Sequence, residues 1–312
     1  MLGQQIITKT GVKTKLDLAI QRLKAFEPPE GYWVAFSGGK DSQCVYHLCQ
    51  MAGVKFDAHY SVTSVDPPEV VRFIRQEYPD VEFCFPRYSD GKRITMWNLI
   101  PRVMIPPTRK QRYCCEKLKE SGGRGRVVVT GVRWAESAKR AALHSVASIA
   151  GKPKTTKKMA DDLGVDFTVN RAGSLVLNDD NDAERRMVEQ CYRTQKTMVN
   201  PIVDWTDAEV WEFLNEIAKV PHCELYDQGR KRIGCIGCPM STKAGEELKA
   251  YPKYRRLYLK AFARMLEERE KAGKPNDGKS DWSTPEKVMD WWLQKDCNGG
   301  STCTDVSDAE RG

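Results

Sequence analysis

The sequence predicts an α/β fold, in which a doubly wound parallel sheet carries helices on both faces, with a helical region at the C-terminal end. Three features support this prediction: short apolar runs, amphipathic stretches between them, and glycines at the junctions. The runs with the pattern of buried parallel strands are residues 32–36, 56–62, 81–85 and 127–130. Strands that alternate with helical stretches, such as 12–26 and 67–78, are typical of a parallel sheet covered on both sides.

Composition places the chain among ordinary globular proteins. It has 312 residues, of which 40% are hydrophobic and 29% charged, and a formal net charge of +8. No run approaches the roughly 20 apolar residues needed to span a bilayer, and the first 20 residues lack the pattern of a secretory signal. We therefore expect a cytoplasmic protein that has no membrane partner. The positive charge suits a nucleic acid or, equally, a nucleotide.

The segment from Ser37 to Ser42 joins the first predicted strand directly to a helix. It reads Ser37-Gly38-Gly39-Lys40-Asp41-Ser42. Gly38 and Gly39 let the backbone turn and approach phosphates, and the first helical turn points its N–H groups at the anion. Lys40 adds a positive charge, the two serines add hydroxyls, and Asp41 is a candidate ligand of Mg²⁺. We predict a pyrophosphate-binding loop for ATP or another adenine nucleotide; the alternative is a glycine-rich turn without a ligand.

A second phosphate-loop pattern, at residues 273–280, matches the spacing of a Walker A motif. It follows a charged stretch, residues 266–271, and not an apolar strand. We therefore interpret it as an exposed loop.

Two regions are expected along the chain. Residues 1–215 form the nucleotide-binding domain, with an irregular insertion near 148–184, and residues 216–312 form a cysteine-bearing helical region packed on it. Thr206 and Glu209 have the spacing of a capping box that begins a helix. Residues 244–272 read as one long charged helix.

The chain has eleven cysteines, a high number for a protein of a reducing compartment, where disulfides are unfavourable. A cysteine-ligated metal site is therefore the better explanation. Cys114 and Cys115 are adjacent, and Cys235 and Cys238 form a C-x-x-C flanked by glycines. Four thiolates suit tetrahedral zinc or an iron–sulfur cluster, and a redox dithiol is a third possibility. Adjacent cysteines reach two irons of a cubane more readily than they reach one zinc ion.

The other cysteines have weaker patterns. Cys44 and Cys49 fall on the apolar stripe of a helix and are expected to be buried. Cys223 is a spare ligand or a packing residue, and Cys297 and Cys303 are candidates for exposed thiols.

Several motifs in one order resemble the phosphoadenosine-phosphosulfate-reductase-like proteins of the adenine-nucleotide α-hydrolase superfamily, the ATP pyrophosphatases. Their order matches over about residues 30–295. The segments that carry the resemblance are 37–42, 112–119, 131–137 with Arg140, 200–205 with 210–211, and 234–239.

This resemblance implies a 4Fe-4S cluster beside the nucleotide, held by Cys114, Cys115, Cys235 and Cys238. It also implies that Gly131, Arg133 and Arg140 belong to the nucleotide site, and that Lys117 and Lys119 contact phosphate or sulfur-bearing groups. An arginine guanidinium can hold an oxyanion with two hydrogen bonds. Lys40, Asp41 and Arg133 are the expected catalytic residues.

The chain departs from sulfonucleotide reductases at two points. Those enzymes typically end in a Glu-Cys-Gly-Leu-His nucleophile motif, whereas residues 295–300 read Lys-Asp-Cys-Asn-Gly-Gly. Their phosphate loop also usually differs from residues 37–42, which are similar to those of ATP-cleaving members and of the sulfur-transfer proteins of DNA phosphorothioation.

Three hypotheses follow for the function. The first is an ATP pyrophosphatase that adenylates an acceptor for sulfur transfer. The second is a reductase of adenylyl or phosphoadenylyl sulfate with Cys297 as nucleophile. The third is a nucleic-acid-associated module with a regulatory ATP site, suggested by the lysines at 152–158. The expected partners are an adenine nucleotide, an unidentified sulfur donor and acceptor, a nucleic acid and a second copy of the chain.

Overall fold

A computed structural model describes residues 1–8, 11–136, 146–150, 167–169, 174–177, 196–274 and 281–297, with four single positions at 158, 161, 164 and 276. The chain forms two compact units from interleaved stretches. The sheet unit comprises Met1–Val62, Pro67–Pro86 and Lys119–Gly234, and the cysteine unit comprises Thr63–Asp66, Arg87–Leu118 and Cys235–Gly312. The division into two domains at residue 215 stays a prediction.

One mixed sheet of eight described strands forms the centre of the sheet unit. Its parallel part follows the order β5-β4-β3-β6-β10 and is continued by β7, β9 and β8 in antiparallel pairing. The strands are β3 Tyr32–Phe36, β4 Phe56–Ser61, β5 Glu82–Cys84, β6 Val127–Val129, β7 Ala147–Ala150, β8 Thr168–Val169, β9 Leu175–Leu177 and β10 Lys196–Val199. A separate hairpin of β1 Gln5–Thr8 and β2 Gly11–Thr14 precedes the first helix.

The parallel strands confirm the predicted α/β fold class. β3, β4, β5 and β6 lie within one or two residues of the apolar runs that predicted them. Part of the interval expected to be irregular is ordered, because β7 to β9 fall between residues 147 and 177. These strands are only two to four residues long, which is too short to leave an extended alternating pattern in the sequence.

Four α-helices lie in the described part of the sheet unit. They are α1 Lys15–Ala25, α2 Lys40–Ala52, α3 Pro68–Glu77 and α6 Asp207–Glu212, the last continued by a π-helical turn, Phe213–Ala218. The predicted capping box is confirmed, since the Thr206 hydroxyl accepts from the Glu209 N–H at 3.3 Å while Glu209 accepts from the Thr206 N–H at 2.8 Å. Gly53 ends α2 in the left-handed region at φ 69°, where glycine is favoured.

The cysteine unit is helical, as expected for the C-terminal region. Its helices are α4 Met96–Val103, α5 Tyr113–Leu118, α7 Ala244–Ala250, α8 Pro252–Lys271 and α9 Pro285–Cys297. The single helix expected over 244–272 is wrong. Pro252 lacks the N–H that a continuous helix would need at that point, so α7 ends at Ala250 and Pro252 begins α8.

The apolar core of this unit explains why its last segment is helical. Trp292 of α9 packs on Tyr258 and Phe262 of α8, with ring centroids 4.9 and 5.6 Å apart. The Trp292 indole N–H donates to the Pro107 carbonyl at 2.7 Å. Met289 and Trp292 therefore lie on the buried face of α9. No helix in the described ranges is long and apolar enough to cross a membrane.

Candidate functional site

The predicted phosphate loop lies between the end of β3 and the start of α2. Gly38 adopts φ 70°, a region that favours glycine, and a Cβ at this position would lie 2.9 Å from Ile74 Cγ1. Gly39, the N-cap of α2, has an ordinary φ of −85°. Glycine is therefore required at position 38 by both backbone conformation and space, as the sequence predicts.

The two loop serines hydrogen-bond across the turn. The Ser42 hydroxyl accepts from the Ser37 N–H at 3.1 Å and donates to the Gly39 carbonyl at 2.8 Å. The Ser37 hydroxyl lies 3.2 Å from that of Ser42. The loop is thus closed into a fixed shape by its own side chains.

The first turn of α2 presents backbone donors. The Lys40 N–H donates to the Tyr226 hydroxyl at 2.8 Å, and the Gln43 N–H donates to the Gly39 carbonyl at 3.0 Å. Between them, the N–H groups of Asp41 and Ser42 make no hydrogen bond to any described residue. Free N–H groups at the positive end of a helix are suited to an anion.

A buried ion network lies directly behind this turn. Lys40 and Arg133 are 2% and 1% exposed. Arg133 donates from Nε to Asp41 Oδ1 at 2.7 Å and from a terminal nitrogen to Asp207 Oδ1 at 2.5 Å. Lys40 Nζ lies 3.3 Å from Asp41 and 3.4 Å from Asp207. Two buried cations and two carboxylates therefore neutralise one another.

The charges set the titration of the network. Burial alone would lower the pKa of Arg133, but Asp41 and Asp207 outweigh it and raise that pKa above its usual value. Burial raises the pKa of Asp207, while the bonds and charges of Arg133 and Lys40 outweigh burial and lower it. Arg133 thus stays charged and Asp207 stays ionised near neutral pH.

Gly131 allows the loop that follows β6 to approach α2 closely. A Cβ on Gly131 would lie 2.8 Å from the carbonyl carbon and oxygen of Asp41. Backbone atoms cannot swing aside as a flexible side chain can, so glycine is required here for space. The predicted site residue Gly131 therefore borders the loop that it was expected to accompany.

A pocket of about 200 Å³ opens at this place in the sheet unit. One wall carries an ion pair in which Arg232 lies 3.2 Å from Glu136, with the Arg232 side chain 65% exposed. The residues that line it are Ala35, Ser37, Gly39, Asp41, Ser42, Gly131, Val132, Glu136, Tyr226, Arg232 and Ile233. The pocket thus brings together the loop, its free N–H groups, an exposed guanidinium and two carboxylates.

Sequence reasoning missed four members of this site. The sequence analysis did not predict Asp207, Tyr226, Arg232 or Glu136 as site residues. The run around Arg230 and Arg232, just before the C-x-x-C, is the signal that could have suggested a cation there. Asp207 and Tyr226 carry no local pattern, because their partners lie more than 70 residues away.

Some predicted contacts are not tested by the structure. Arg140 lies outside the described residues, as do the lysines at 152, 154 and 157. Lys117 is exposed and donates to its neighbour Glu116 at 2.6 Å. The catalytic roles of Lys40, Asp41 and Arg133 stay predictions. The contacts of Lys40, Arg133 and Lys117 with phosphate stay predictions as well.

The four predicted metal-binding cysteines all belong to the cysteine unit. Cys114 and Cys115 lie on α5, with Cys114 8% exposed. A hydrogen bond with Cys115 raises the pKa of the Cys114 thiol most, burial adds to this, and the nearby sulfurs of Cys235 and Cys238 add further. The sulfurs of Cys115, Cys235 and Cys238 are therefore all near enough to act on the Cys114 thiol.

The C-x-x-C turn is anchored by the rest of its unit. Ile236 donates its N–H to the Val65 carbonyl at 2.8 Å and accepts from the Tyr258 hydroxyl at 3.0 Å. Gly237 adopts φ 69° and its N–H donates to Glu247 at 3.0 Å. Cys235 and Cys238 therefore extend from a backbone turn that hydrogen bonds hold in place.

Two polar groups contact the sulfurs. Thr63 Oγ1 lies 3.5 Å from Cys235 Sγ, and Arg112 donates to Cys115 Sγ at 3.4 Å. Such contacts stabilise thiolates and are common around sulfur-ligated metals.

A group of side chains spaced closely enough to bind one metal ion lies outside these four cysteines. Among the described residues, the group whose ligand atoms all lie within 4.8 Å of one another is His59, Glu82 and Cys84, in the sheet unit. The four predicted cluster cysteines are not in that group. Cys44, Cys49 and Cys223 are buried, the first two as expected, and the side chains of Cys297 and Cys303 lie outside the described residues.

Comparison with known proteins decides the family. The model of the phosphoadenosine phosphosulfate reductase domain matches residues 31–241, which include the loop, Arg133 and all four cysteines. The chain belongs to this family. The sequence-based resemblance is thereby confirmed.

The chain spans 20%, 28% and 40% of the length of three relatives that it matches. Adenosine 5′-phosphosulfate reductase of Allochromatium vinosum is 38% identical over 52 residues, which are 17% of this chain and 20% of the relative. The enzyme of that name from Shouchella clausii is 32% identical over 68 residues, 22% of this chain and 28% of the relative. An uncharacterised protein of Methanocaldococcus jannaschii is 27% identical over 229 residues, 73% of this chain and 40% of the relative.

Solved structures in the comparison are more distant. A phosphoadenylyl-sulfate reductase from Candida auris, in complex with phosphate, has a TM-score of 0.41 at 16% identity and covers 72% of this chain and 88% of its own. An FMN adenylyltransferase from Candida glabrata has a TM-score of 0.39 at 15% identity, with 71% and 61% covered.

Proposed function

We propose that this member of the phosphoadenosine phosphosulfate reductase family cleaves ATP between its α- and β-phosphates and adenylates an acceptor for sulfur transfer. The observation that carries the proposal is the loop between Ser37 and Ser42. It combines a left-handed glycine, two helix N–H groups that make no hydrogen bond to a described residue, and two hydroxyls at the edge of a pocket. This is an anion site of the kind that binds phosphates at a helix N-terminus.

The proposed reaction places charge where the site has donors. An acceptor oxygen attacks the α-phosphorus, the bond from phosphorus to the bridging oxygen breaks, and the electron pair leaves with pyrophosphate. The free N–H groups of Asp41 and Ser42 stabilise the charge that develops on the leaving group. The acceptor proton goes to solvent, and a sulfur donor at the sulfide level then displaces AMP.

Arg133 and Lys40 act in this proposal by positioning Asp41. Both hydrogen-bond to the Asp41 carboxylate from buried positions, Arg133 at 2.7 Å and Lys40 at 3.3 Å. Asp41 also lines the pocket, so its carboxylate is oriented for a hydrated Mg²⁺ that accompanies ATP. The exposed Arg232 is the cation best placed to contact a phosphate oxygen directly.

The donor set in the cysteine unit suits a 4Fe-4S cluster better than zinc. Tetrahedral zinc holds its sulfurs about 3.8 Å apart, given a zinc–sulfur distance of about 2.3 Å. The four cysteines do not form a group at that spacing among the described residues. Four irons of a cubane spread the thiolates further, and Cys114, Cys115, Cys235 and Cys238 would hold them. A bound cluster supplies redox-capable iron.

Product analysis tests the ATP reaction. Anaerobically purified protein is incubated with Mg²⁺ and ATP, with sulfide as donor and candidate acceptors, and the products are resolved by phosphorus NMR. We expect equal amounts of AMP and pyrophosphate, and loss of most of this activity in Ser42→Ala. Production of ADP and phosphate, or of no product with any acceptor, contradicts the proposal.

Reduction of a sulfonucleotide is the second candidate. The names of two matching relatives, both adenosine 5′-phosphosulfate reductases, favour it. Adenylyl sulfate and phosphoadenylyl sulfate are offered with thioredoxin, and sulfite is measured for the parent chain and for Cys297→Ala. Sulfite release that depends on Cys297 supports this candidate, and absence of sulfite from either substrate removes it.

A further inference from the structure

A second group of metal-ligand residues lies on one face of the sheet, across strands β4 and β5. His59 and Cys84 belong to these strands, and Glu82 is the register partner of His59. His59 Nδ1 lies 3.4 Å from Glu82 Oε2 and 3.5 Å from Cys84 Sγ. None of the three lines the phosphate pocket. All three belong to the sheet unit, whereas the four cysteines of the proposed cluster belong to the cysteine unit.

The spacing fits a single tetrahedral ion. Zinc binds nitrogen at about 2.0–2.1 Å, carboxylate oxygen at about 2.0–2.2 Å and sulfur at about 2.3 Å, so neighbouring ligand atoms lie roughly 3.3–3.7 Å apart. The distances from His59 Nδ1 to its two neighbours fall within that range. A mixed nitrogen, sulfur and oxygen set favours a borderline ion such as zinc over calcium or magnesium.

The histidine is oriented as a ligand. Its Nε2 hydrogen-bonds to the Asp57 carboxylate, which leaves the Nδ1 lone pair facing Cys84 and Glu82. Asp57 is in turn held by two hydrogen bonds from Arg126, at 2.8 and 2.5 Å. A carboxylate that fixes the tautomer and angle of a metal-binding histidine is a recurrent support of zinc sites.

Packing fixes the ring further. Trp33 of β3 stacks on His59 with ring centroids 3.4 Å apart and planes within 4°. The His59 side chain is only 5% exposed, while the Glu82 side chain is 71% exposed. The site therefore has one rigid buried ligand, one half-buried thiol and one carboxylate open to solvent, which leaves room for a water molecule as a fourth ligand.

From this geometry we propose that His59, Glu82 and Cys84 bind one zinc ion, with Asp57 as the positioning residue of His59. Binding displaces the proton of the Cys84 thiol to solvent and involves no change of oxidation state. The proposal is independent of the ATP reaction and of the iron–sulfur cluster.

A nucleophilic Cys84 activated by His59 is the competing interpretation. Burial raises the pKa of the Cys84 thiol, and the charges of Glu82 and Asp57 raise it further. A reactive cysteine needs the opposite environment, with a lowered pKa. The same two carboxylates attract a divalent cation, which in turn favours the thiolate.

Zinc protection of one thiol tests the site without interference from the other cysteines. The full chain is purified anaerobically with its cluster, treated with a mild chelator and titrated with zinc. Alkylation of Cys84 by iodoacetamide is then followed by peptide mass spectrometry. We expect zinc to slow this alkylation at least tenfold, with one zinc ion retained per chain after desalting.

Three variants make the result specific. Glu82→Gln, on an exposed side chain that leaves the fold intact, should weaken protection. Asp57→Asn should raise the zinc concentration needed for half protection by about 10- to 100-fold, as for other supporting carboxylates. Glu77→Gln, on the exposed face of α3, is the matched control and should behave as the parent. Alkylation that zinc does not slow, or equal protection of the parent, Glu82→Gln and Asp57→Asn, overturns the proposal.

Discussion

Arg133 and Asp41 are joined by a hydrogen bond of 2.7 Å, although 92 residues separate them in the sequence. The contact links the loop after β6 to the first turn of α2, so it couples two elements that border the phosphate pocket. Arg133 is almost fully buried and also donates to the Trp205 carbonyl at 3.1 Å. Its guanidinium is therefore engaged by the protein itself, which defines its proposed role as positioning Asp41.

Substitution of Arg133, which lies behind the loop, and of Arg232, which lines the pocket, should separate positioning from ligand contact. Arg133→Leu leaves two carboxylates with only Lys40 as partner and should lower the free energy of unfolding by roughly 3 kcal/mol, because it breaks a buried ion pair. Arg232→Leu removes a solvent-exposed partner of Glu136 and should change that free energy by less than about 0.5 kcal/mol. Urea unfolding measures both.

The same pair should differ in nucleotide binding. We expect Arg232→Leu to weaken ATP binding by calorimetry while the protein stays folded. Unchanged ATP affinity in Arg232→Leu, or unchanged stability in Arg133→Leu, would show that the two roles are assigned wrongly.

Two glycines of the pocket should respond differently to alanine. Gly131→Ala places a Cβ 2.8 Å from backbone atoms of Asp41, so it should cost about 1–3 kcal/mol of stability through overpacking. Gly39→Ala places its Cβ 3.4 Å from the Tyr226 hydroxyl at an ordinary φ and should fold normally. Thermal melts of both variants check the contrast, and equal melting temperatures would refute it.

Glu209 should contribute an acid-sensitive part of the stability. Burial alone would raise its pKa, but the Lys15 ammonium and the Thr206 cap outweigh it and lower that pKa from 4.5 to about 2. Because the folded pKa is the lower one, the contribution is fully present above pH 4.5 and is lost as the pH falls toward 2. Its size is on the order of 3 kcal/mol.

Glu209→Gln provides the measurement. The variant should be less stable than the parent at pH 7, and the difference should shrink between pH 4.5 and pH 2. The Glu209 carboxylate lies 2.8 Å from Lys15, so Lys15→Met should show a smaller change with the same pH dependence. A stability difference that stays constant over this pH range would contradict the assignment.

Metal content should depend on the four cysteines of the cysteine unit. Cys235→Ser and Cys115→Ser should lose most of the iron and sulfide found in the parent after anaerobic purification, together with the brown absorption. Cys223→Ala, a buried thiol of the sheet unit, is the control and should keep both. Stoichiometric zinc in place of iron, lost in the same two variants, would replace the cluster by a zinc site.

The sequence predicted the elements whose patterns are local. The strand β3, the loop from Ser37 and the helix α2 are contiguous, so composition and glycine spacing were sufficient. The capping box at Thr206 is equally local. The break before α8 was overlooked because the charged pattern continues across Pro252, although the missing N–H of proline ends α7.

The ion network and the histidine site could not be predicted, because their partners meet only after folding. Asp207 contacts Arg133 and Lys40 across long sequence separations, and no spacing rule relates these positions. His59 and Cys84 lie 25 residues apart and become neighbours only through the pairing of β4 with β5. Parallel pairing joins strands across an intervening helix, so the register is invisible in the sequence.

A competition between ATP and adenylyl sulfate distinguishes the proposed ATP cleavage from reduction of a sulfonucleotide in a single experiment. One preparation of the anaerobic protein receives Mg²⁺, ATP, adenylyl sulfate, thioredoxin, sulfide and candidate acceptors, and both pyrophosphate and sulfite are measured over time. We expect pyrophosphate equal to the ATP consumed, loss of that signal in Ser42→Ala, and no sulfite. Sulfite without pyrophosphate would contradict the proposed ATP cleavage and would assign the loop to a sulfonucleotide.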